Sequence, residues 1–424
     1  MSQGRGNFRA RGSAEVVLVI ERVGAQGDGV AAGPVYVPGV LPGETVRARV
    51  EGDRGEVLEI IASSDERTTP PCPHFGDCGG CALQHWLADP YLDWKRDLIV
   101  QSLARERIET EILQPFASPS GSRRRLALHA RPGKPDEARL GYKARGSWRL
   151  LEIGVCPIAE PRLQAALPVL RRLAAPFLEH PKSAPTLHVT STSSGLDIDI
   201  SGVERRSGGL SADARLRAAE AAAAMDAARV TLAGEIVYQA RLPVVAIGRA
   251  IVALPAGGFL QATAEAEAAM AGFVGDALAG AGRVADLFCG VGTFALRLAE
   301  TLRVHAADSS PEAVAALASA VGATSGLKQV TTEARDLFRR PMLAQEFKGF
   351  DAAVFDPPRA GAPSQAGQIA ASKVPVAVAV SCNPATFARD ARILVDGGFR
   401  LERVLPVDQF LWSPHVELVG VFRR

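Results

Sequence analysis

Three runs in the last third of the chain share one pattern. They are Val284-Ala285-Asp286-Leu287-Phe288-Cys289-Gly290, Ala353-Val354-Phe355-Asp356-Pro357-Pro358-Arg359 and Val378-Ala379-Val380-Ser381-Cys382-Asn383-Pro384. Each begins apolar, is too short for a stable helix, and stops abruptly at polar, cysteine, glycine or proline residues. Short apolar runs of this kind suit the buried strands of an α/β sheet. In such sheets ligands bind at the carboxyl ends of the strands. The residues at which the runs stop are therefore the candidates for chemistry. A free cysteine is often only a small buried hydrophobe, but Ser-Cys-Asn-Pro is a poor core filler. Cys382 is the candidate nucleophile.

The same domain is expected over residues 249–424. It opens at Phe259-Leu260-Gln261-Ala262-Thr263 and continues as a helix from Ala264 to Leu278. The first strand then runs into Gly290-Val291-Gly292-Thr293-Phe294, where glycines let the backbone approach a ligand at a helix N-terminus. A dinucleotide site wants G-x-G-x-x-G; the spacing here suits the S-adenosylmethionine-binding Rossmann variety better. Val304-His305-Ala306-Ala307-Asp308 places an acid at a strand end, where ribose hydroxyls are commonly held. Asp336, after a third strand, suits adenine or its loop. Near residue 417, Glu417 shares a strand face with Val419 and Val421. Apolar surroundings would raise its carboxyl toward useful base strength. On pattern alone it reads equally well as a solvent-facing carboxylate on an edge strand.

Residues 1–13 read as a short, basic, disordered tail without the apolar core of a signal peptide. Residues 14–66 then give several short strands punctuated by glycines, the pattern of an OB-like β-barrel. Gly27-Asp28-Gly29 and the stretch Val37 to Glu44 resemble a TRAM domain, which implies RNA binding. Residues 67–248 read as a central α+β domain. It begins with Cys72, Cys78 and Cys81 in a glycine-rich C-x5-C-x2-C stretch, with Cys156 available as a fourth thiolate. Structural zinc favours two close cysteine pairs, and only one is present. A [4Fe–4S] cluster is therefore preferred, with zinc as the alternative.

Asp89 to Arg107 is predicted as a packing helix with its Arg and Lys side chains exposed. Ala212 to Ala228 is predicted as an alanine-rich helix with Ser211 as N-cap. Residues 121–149 carry nine Arg and Lys against two acids, although the whole chain totals only +2. With His129, Tyr142 and Trp148 interleaved, this segment is suited to phosphate contact and base stacking; its alternative is a solvated charged face. No apolar run approaches membrane-spanning length. A cytoplasmic, monomeric protein is expected.

Taken together, Gln261, Asp286 to Phe294, Asp356 to Arg359, Ser381 to Pro384 and His415-Val416-Glu417 resemble the RNA 5-methyluridine methyltransferase family. The TRAM-like barrel and four cysteines resemble its iron–sulfur branch that modifies 23S ribosomal RNA. The resemblance implies an S-adenosylmethionine site lined by Gln261, Phe288, Thr293, Asp308, Asp336 and Asp356. It also implies Cys382 as nucleophile, Glu417 as base and Cys72, Cys78, Cys81 and Cys156 as cluster ligands. The expected substrate is RNA, with ribosomal RNA favoured and transfer RNA possible. Thr263, Thr293 and Asp308 stand where the family often carries Asn, Asn and Glu; each replacement keeps a hydrogen-bonding oxygen.

Three rivals differ in what they require. A 5-methylcytosine RNA methyltransferase would carry a second cysteine beside the proline of the strand-four motif, and Asp356-Pro357-Pro358 has none. A radical methylthiotransferase would show different cysteine spacing. A non-catalytic, RNA-binding iron–sulfur sensor would leave Asp356, Cys382 and Glu417 converging without reason.

Overall fold

The computed structural model describes residues 13–204 and 210–424; the predicted basic tail falls outside them, except for residue 13. The chain divides into two compact units. One is Met1–Trp94 with Trp412–Pro414, and the other is Lys95–Leu411 with His415–Arg424.

The first unit contains a closed barrel of β1 (Ala14–Val23), β2 (Gly29–Ala31), β3 (Val35–Val37), β4 (Thr45–Glu51) and β5 (Arg54–Ala62). Alternation along β4 sends Val46 and Ala48 inward to meet Ile20, Ala31, Val37 and Val40. Closing the sheet removes the exposed edges that an open sheet would present. Glu44 is fully buried in the β3–β4 connection, where it accepts the Leu41 N–H (2.8 Å) and pairs with Arg67 (2.5 Å). After the barrel, the stretch holding Cys72, Cys78 and Cys81 forms turns. Ala82 and Leu83 follow, their N–H groups bonded to the Trp412 carbonyl.

Helix α1 (Ala88–Arg105) crosses the division between the units. Its length matches expectation, but its charges do not all face solvent. Lys95 is fully buried, with Nζ donating to Asp408 Oδ1 (2.5 Å) and to the carbonyls of His415 (2.6 Å) and Phe410 (3.2 Å).

In the second unit, β6 (Glu111–Ile112) and β7 (Phe116–Ala117) add to the edge of the last sheet. A separate seven-stranded sheet comprises β8 (Arg125–Arg131), β9 (Arg139–Lys143), β10 (Leu150–Glu152), β11 (Thr186–Thr192), β12 (Gly195–Ser201), β13 (Ala227–Leu232) and β14 (Glu235–Gln239). Helices α2 (Pro161–Ala174) and α3 (Ala212–Ala224) cover it with Leu163, Leu167, Leu170, Ala214, Ala218 and Ala222. Ser211 caps α3, accepting the Ala214 N–H at 3.0 Å. That helix ends sooner than its alanine content predicts. Ala227 and Ala228 pair instead in β13, where β-sheet pairing overrides helix propensity.

A hairpin of β15 (Val244–Ile247) and β16 (Ala250–Ala253) leads to α4 (Ala264–Ala277). The strands that follow are β17 (Arg283–Leu287), β18 (Arg303–Asp308), β19 (Val330–Ala334), β20 (Ala352–Phe355), β21 (Val376–Ser381), β22 (Arg400–Asp408) and β23 (Glu417–Arg423). They join in the order β19-β18-β17-β20-β21-β23-β22-β6. The first five run parallel, and β23 enters antiparallel beside β21. Helices α5 (Ala295–Leu298), α6 (Pro311–Ala323), α7 (Pro363–Ala371) and α8 (Pro384–Asp396) connect them. Val284, Ala285, Val354, Val378, Val380 and Val419 are fully or almost fully buried in the core of the sheet.

Candidate active site

Five parallel strands stop along one edge, and four of the chemistry-bearing side chains stand at or just beyond their carboxyl ends. These are Asp308 on β18, Asp336 beyond β19, Asp356 beyond β20 and Cys382 beyond β21. Asp286 sits one residue before the end of β17. Ser381 on β21 pairs with Leu418 on β23, so the register continued by one residue sets Cys382 opposite Glu417. Residues directly opposite in an antiparallel pair project to the same face. Glu417 is thus delivered beside the thiol. It is 4% exposed on a strand flanked on both sides, which rules out the reading of a solvent-facing edge carboxylate.

The local sequence explains why the thiol stands at a strand end. Asn383 caps α8, its Oδ1 accepting the Ala385 N–H at 3.1 Å, and Pro384 occupies the first helical position. The strand must therefore stop at Cys382. Beyond β17, Phe288 adopts a backbone φ of +62°, a conformation that side chains rarely take and that clusters at functional sites. Its ring lies 5.4 Å from that of Phe338. Gly292 has φ +100°, and a Cβ there would stand 2.6 Å from Leu317 Cδ1. Its hydrogen lets the loop fold tightly onto α6.

The site is crowded with acids. Asp308 accepts the N–H groups of Gly290 and Ser310, both at 2.9 Å, tying the glycine turn to β18. Asp286 is fully buried, with the Ala295 N–H as the nearby donor that favours its charge. Burial, with help from Asp356 and Asp308, pushes its carboxyl well above the usual range. Burial also pushes Asp356 up to about 7, opposed by the Gln261 amide and reinforced by Asp308. Glu417 is pushed up to about 8 by burial and by Asp356, against the Gln409 amide. Cys382, half-buried, is pushed up to about 11 by burial, Glu417 and Asp356, with Arg359 opposing.

Gln261 Nε2 donates to Asp356 Oδ2 (3.1 Å), and Gln261 Oε1 accepts from Gln409 Nε2 (2.7 Å). Gln409 Nε2 also donates to Glu417 Oε2 (2.7 Å). Sequence reasoning missed Gln409. Its only signal is an uncharged polar residue directly after a β-strand, eight positions before Glu417. The buried Lys95–Asp408 pair one residue earlier was also missed.

Other predicted residues lie apart from this cluster. Asp336 accepts the N–H groups of Phe338 (3.0 Å) and Arg339 (3.2 Å), shaping the loop that carries Phe338. Thr293 is buried in the glycine turn. Two residues of the predicted RNA-binding segment serve the interior instead. Arg124 pairs with buried Glu267, and Arg125 donates to the Leu260 carbonyl at 2.8 Å. Their guanidinium groups anchor the segment before α4 that carries Gln261. The β8–β9 connection, residues 132–137, is exposed, and so is the tip of the β9–β10 hairpin, where Trp148 is 81% exposed and Lys143 Nζ sits 3.9 Å from its ring centre.

For the cysteine shell, Cys72, Cys78 and Cys81 fall in the first unit and Cys156 in the second. The Cys78 thiol accepts the Gly80 N–H and feels Cys72 nearby. Among the described residues, no group of three or more His, Cys, Asp or Glu side chains is arranged to hold a metal ion. The predicted four-thiolate shell is therefore not shown by this structure.

A family model described as tRNA (uracil-5-)-methyltransferase matches residues 224–424. The chain is 61% identical to an RNA methyltransferase of Caulobacter vibrioides, over 96% of this chain and 99% of the relative. It is 33% identical to the 23S rRNA (uracil(1939)-C(5))-methyltransferase RlmD of Chromohalobacter salexigens, over 96% and 89% respectively. The chain belongs to the RNA (uracil-5-)-methyltransferase family. Its fold is that of the Pyrococcus abyssi tRNA (uracil-54, C5)-methyltransferase, solved in complex with S-adenosyl-L-homocysteine. That likeness has a TM-score of 0.73 at 22% identity, covering 96% of this chain and all of the other. Family membership makes this chain an enzyme that methylates RNA. Among the described residues, no helix is long and apolar enough to cross a membrane.

Proposed function

We propose that this enzyme methylates C5 of a uridine in 23S ribosomal RNA, using S-adenosylmethionine, with Cys382 as nucleophile and Glu417 as base. The observation that carries the reading is the closeness of Cys382 to Glu417: each is the next residue beyond the Ser381–Leu418 pair, and Glu417 and Asp356 both act on the thiol. The ribosomal substrate is supported by the RlmD relative. Transfer RNA, named by the family model and by the archaeal structure, is the second reading.

The acid cluster fits the cofactor. Asp286, Asp308 and Asp356 repel one another in a buried site, and a sulfonium with an α-ammonium group relieves that repulsion. Gln261, Phe288, Thr293, Asp308, Asp336 and Asp356 are the residues that would hold it. When bound, S-adenosylmethionine supplies an electrophilic methyl group.

Uridine C5 is too weakly nucleophilic to take that methyl unaided. Cys382 first loses its proton to solvent, which reaches the half-buried thiol, and Sγ then adds to C6. The C5=C6 electron pair moves to make C5 an enolate carbon, which would take up the methyl group as the methyl–sulfur bond breaks and its electron pair stays on sulfur, leaving a neutral thioether. Glu417, its own proton shed to solvent, removes the hydrogen from C5. The electrons of that C–H bond restore C5=C6 and expel Cys382 as thiolate. Because C6 is hidden in a stacked helix, the base must be flipped out or already unpaired. The TRAM-like barrel and the β9–β10 hairpin are the surfaces assigned to hold the RNA meanwhile.

The thiols of Cys72, Cys78, Cys81 and Cys156 retain the donor chemistry of a [4Fe–4S] or zinc site. A cluster there would serve structure or RNA positioning, since methyl transfer consumes no electrons. Iron, sulfide and zinc analysis of anaerobically purified protein tests this; metal-free, fully active protein would remove the cluster from the account.

The function itself is tested with S-adenosylmethionine and RNA containing 5-fluorouridine, by intact-protein mass spectrometry under denaturing conditions. Fluorine at C5 blocks the elimination step. A methylated adduct on Cys382, absent in Cys382→Ala, is the expected result. No adduct with any RNA that the protein binds would overturn the mechanism.

A further inference from the structure

One backbone N–H fixes the direction of every hydrogen bond in a chain of four buried side chains. The Ala262 N–H can only donate, and it donates to Gln409 Oε1 at 2.7 Å. The other end of that amide, Nε2, must then supply both of its hydrogens elsewhere. It faces Gln261 Oε1 and Glu417 Oε2, each at 2.7 Å. Gln261, having accepted, has only its own Nε2 left to offer, and this points to Asp356 Oδ2 at 3.1 Å. Gln409 and Gln261 are each 2% exposed, so water does not compete for these positions. Both carboxyl groups of the site are therefore met by amide donors.

We propose that Gln409 is the positioning residue of the base: it aims Glu417 at C5 and holds it as a hydrogen-bond acceptor, the form that can take a proton. The inference rests on the reading of Glu417 as base. Gln409 stands just after β22, and Glu417 opens β23. The amide thus spans the two strands at the point where they leave the sheet, and Ala262 anchors it from the segment before α4. Asp408, one residue earlier, is paired with Lys95.

The groups acting on Glu417 set the sign of the effect. Burial and then Asp356, just beyond β20, disfavour its charge, with Asp308 behind Asp356 and the Cys382 thiol nearby. Arg359 faces Cys382 and is contacted by His415, while Arg124 is bonded to the Gln261 carbonyl and paired with Glu267. Lys95 is bonded to Asp408 and to the carbonyls of Phe410 and His415. Among these, the Gln409 amide is the donor in direct contact that favours the charged form. Its removal leaves Glu417 protonated to higher pH.

The test is Gln409→Met, which keeps length and apolar bulk but donates nothing. Glu417 acts only after methyl transfer, so the two halves of the reaction separate. With 5-fluorouridine RNA, the methylated Cys382 adduct should form at a rate within about twofold of wild type. On ordinary uridine RNA, kcat should fall about tenfold or more with KM little changed. The acid limb of the kcat profile should move up by about one pH unit. If Gln409→Met does not fold, Gln409→Glu replaces it. That variant keeps the oxygen for the Ala262 N–H but, when ionised, cannot donate to Glu417, and the same split is expected. Wild-type kcat and an unmoved acid limb in either folded variant overturn the inference. No adduct in the wild-type enzyme overturns the mechanism and the inference together, so the two failures are distinct.

Discussion

Substituting Lys95→Met removes the cation from a pair in which neither side chain touches solvent. Asp408 keeps its buried charge but loses its 2.5 Å partner, and the carbonyls of His415 and Phe410 lose a donor. Breaking a buried pair from one side costs about 3–5 kcal/mol, most of it from the stranded charge. Here the loss falls on the segment that carries Gln409 and leads into Glu417. A chain of several domains does not unfold in one step, so hydrogen exchange read peptide by peptide is the suitable assay. Amides around 400–417 should exchange about 100- to 4,000-fold faster, as about 1.4 kcal/mol corresponds to tenfold. The double substitution Lys95→Met with Asp408→Asn removes the stranded charge and should recover a large part of the loss. Exchange within about threefold of wild type in Lys95→Met, or additive losses in the double variant, would refute the reasoning.

Three further outcomes are expected. If Glu417, pushed up to about 8, is the base proposed above, kcat should rise with pH from about 6, reach half its maximum near 8 and level off above about 9; a profile flat from pH 6 would contradict that role. Gly292→Ala combines a left-handed φ with a Cβ clashing against Leu317. It should destabilise the cofactor loop by about 1–3 kcal/mol and weaken S-adenosylmethionine binding in calorimetry, with no effect on RNA affinity. Trp148→Ala, on the exposed hairpin, should weaken RNA binding about 5- to 100-fold by filter binding, the worth of one stacked base. Its thermal stability should stay unchanged, and unaltered RNA affinity would remove the hairpin from the binding surface.

The parts of the site that sequence revealed are those carried on short apolar strands. Cys382, Asp356 and Asp308 were legible because a run of Val and Ala that ends in a polar residue has one natural placement in a parallel sheet. Glu417 was ambiguous, because alternation cannot tell a strand at the edge from one inserted between two others. The pairing of β23 with both β21 and β22 supplied the difference. Gln409 was invisible, since its role depends on meeting Ala262, Gln261 and Glu417, none of them near it in sequence except the last. Arg124 and Arg125 misled for the opposite reason. Charge counting treats every arginine as surface, whereas a guanidinium that finds buried Glu267 or a free carbonyl becomes internal structure. The Cys72 to Cys81 spacing remained a statement about donor type, because ligand geometry is set jointly by chain and ion.

The unbroken register between β21 and β23 sets where this family can vary in length. Side chains alternate faces along a strand, so adding or deleting one residue within β23 would put Val416 or Leu418 where Glu417 belongs while leaving a well-paired sheet. The same shift would bring Val419 or Val421 to the place of Gly420, where even a Cβ would collide with the Phe387 ring, so packing as well as the site resists it. Strand β22 already carries an irregularity between Leu401 and Arg403, at the end remote from Gln409. Insertions and deletions among homologues should therefore collect at that far end and in the loops. The six pairs from Val376–Arg423 to Ser381–Leu418 should form a stretch that evolution can reword but not lengthen.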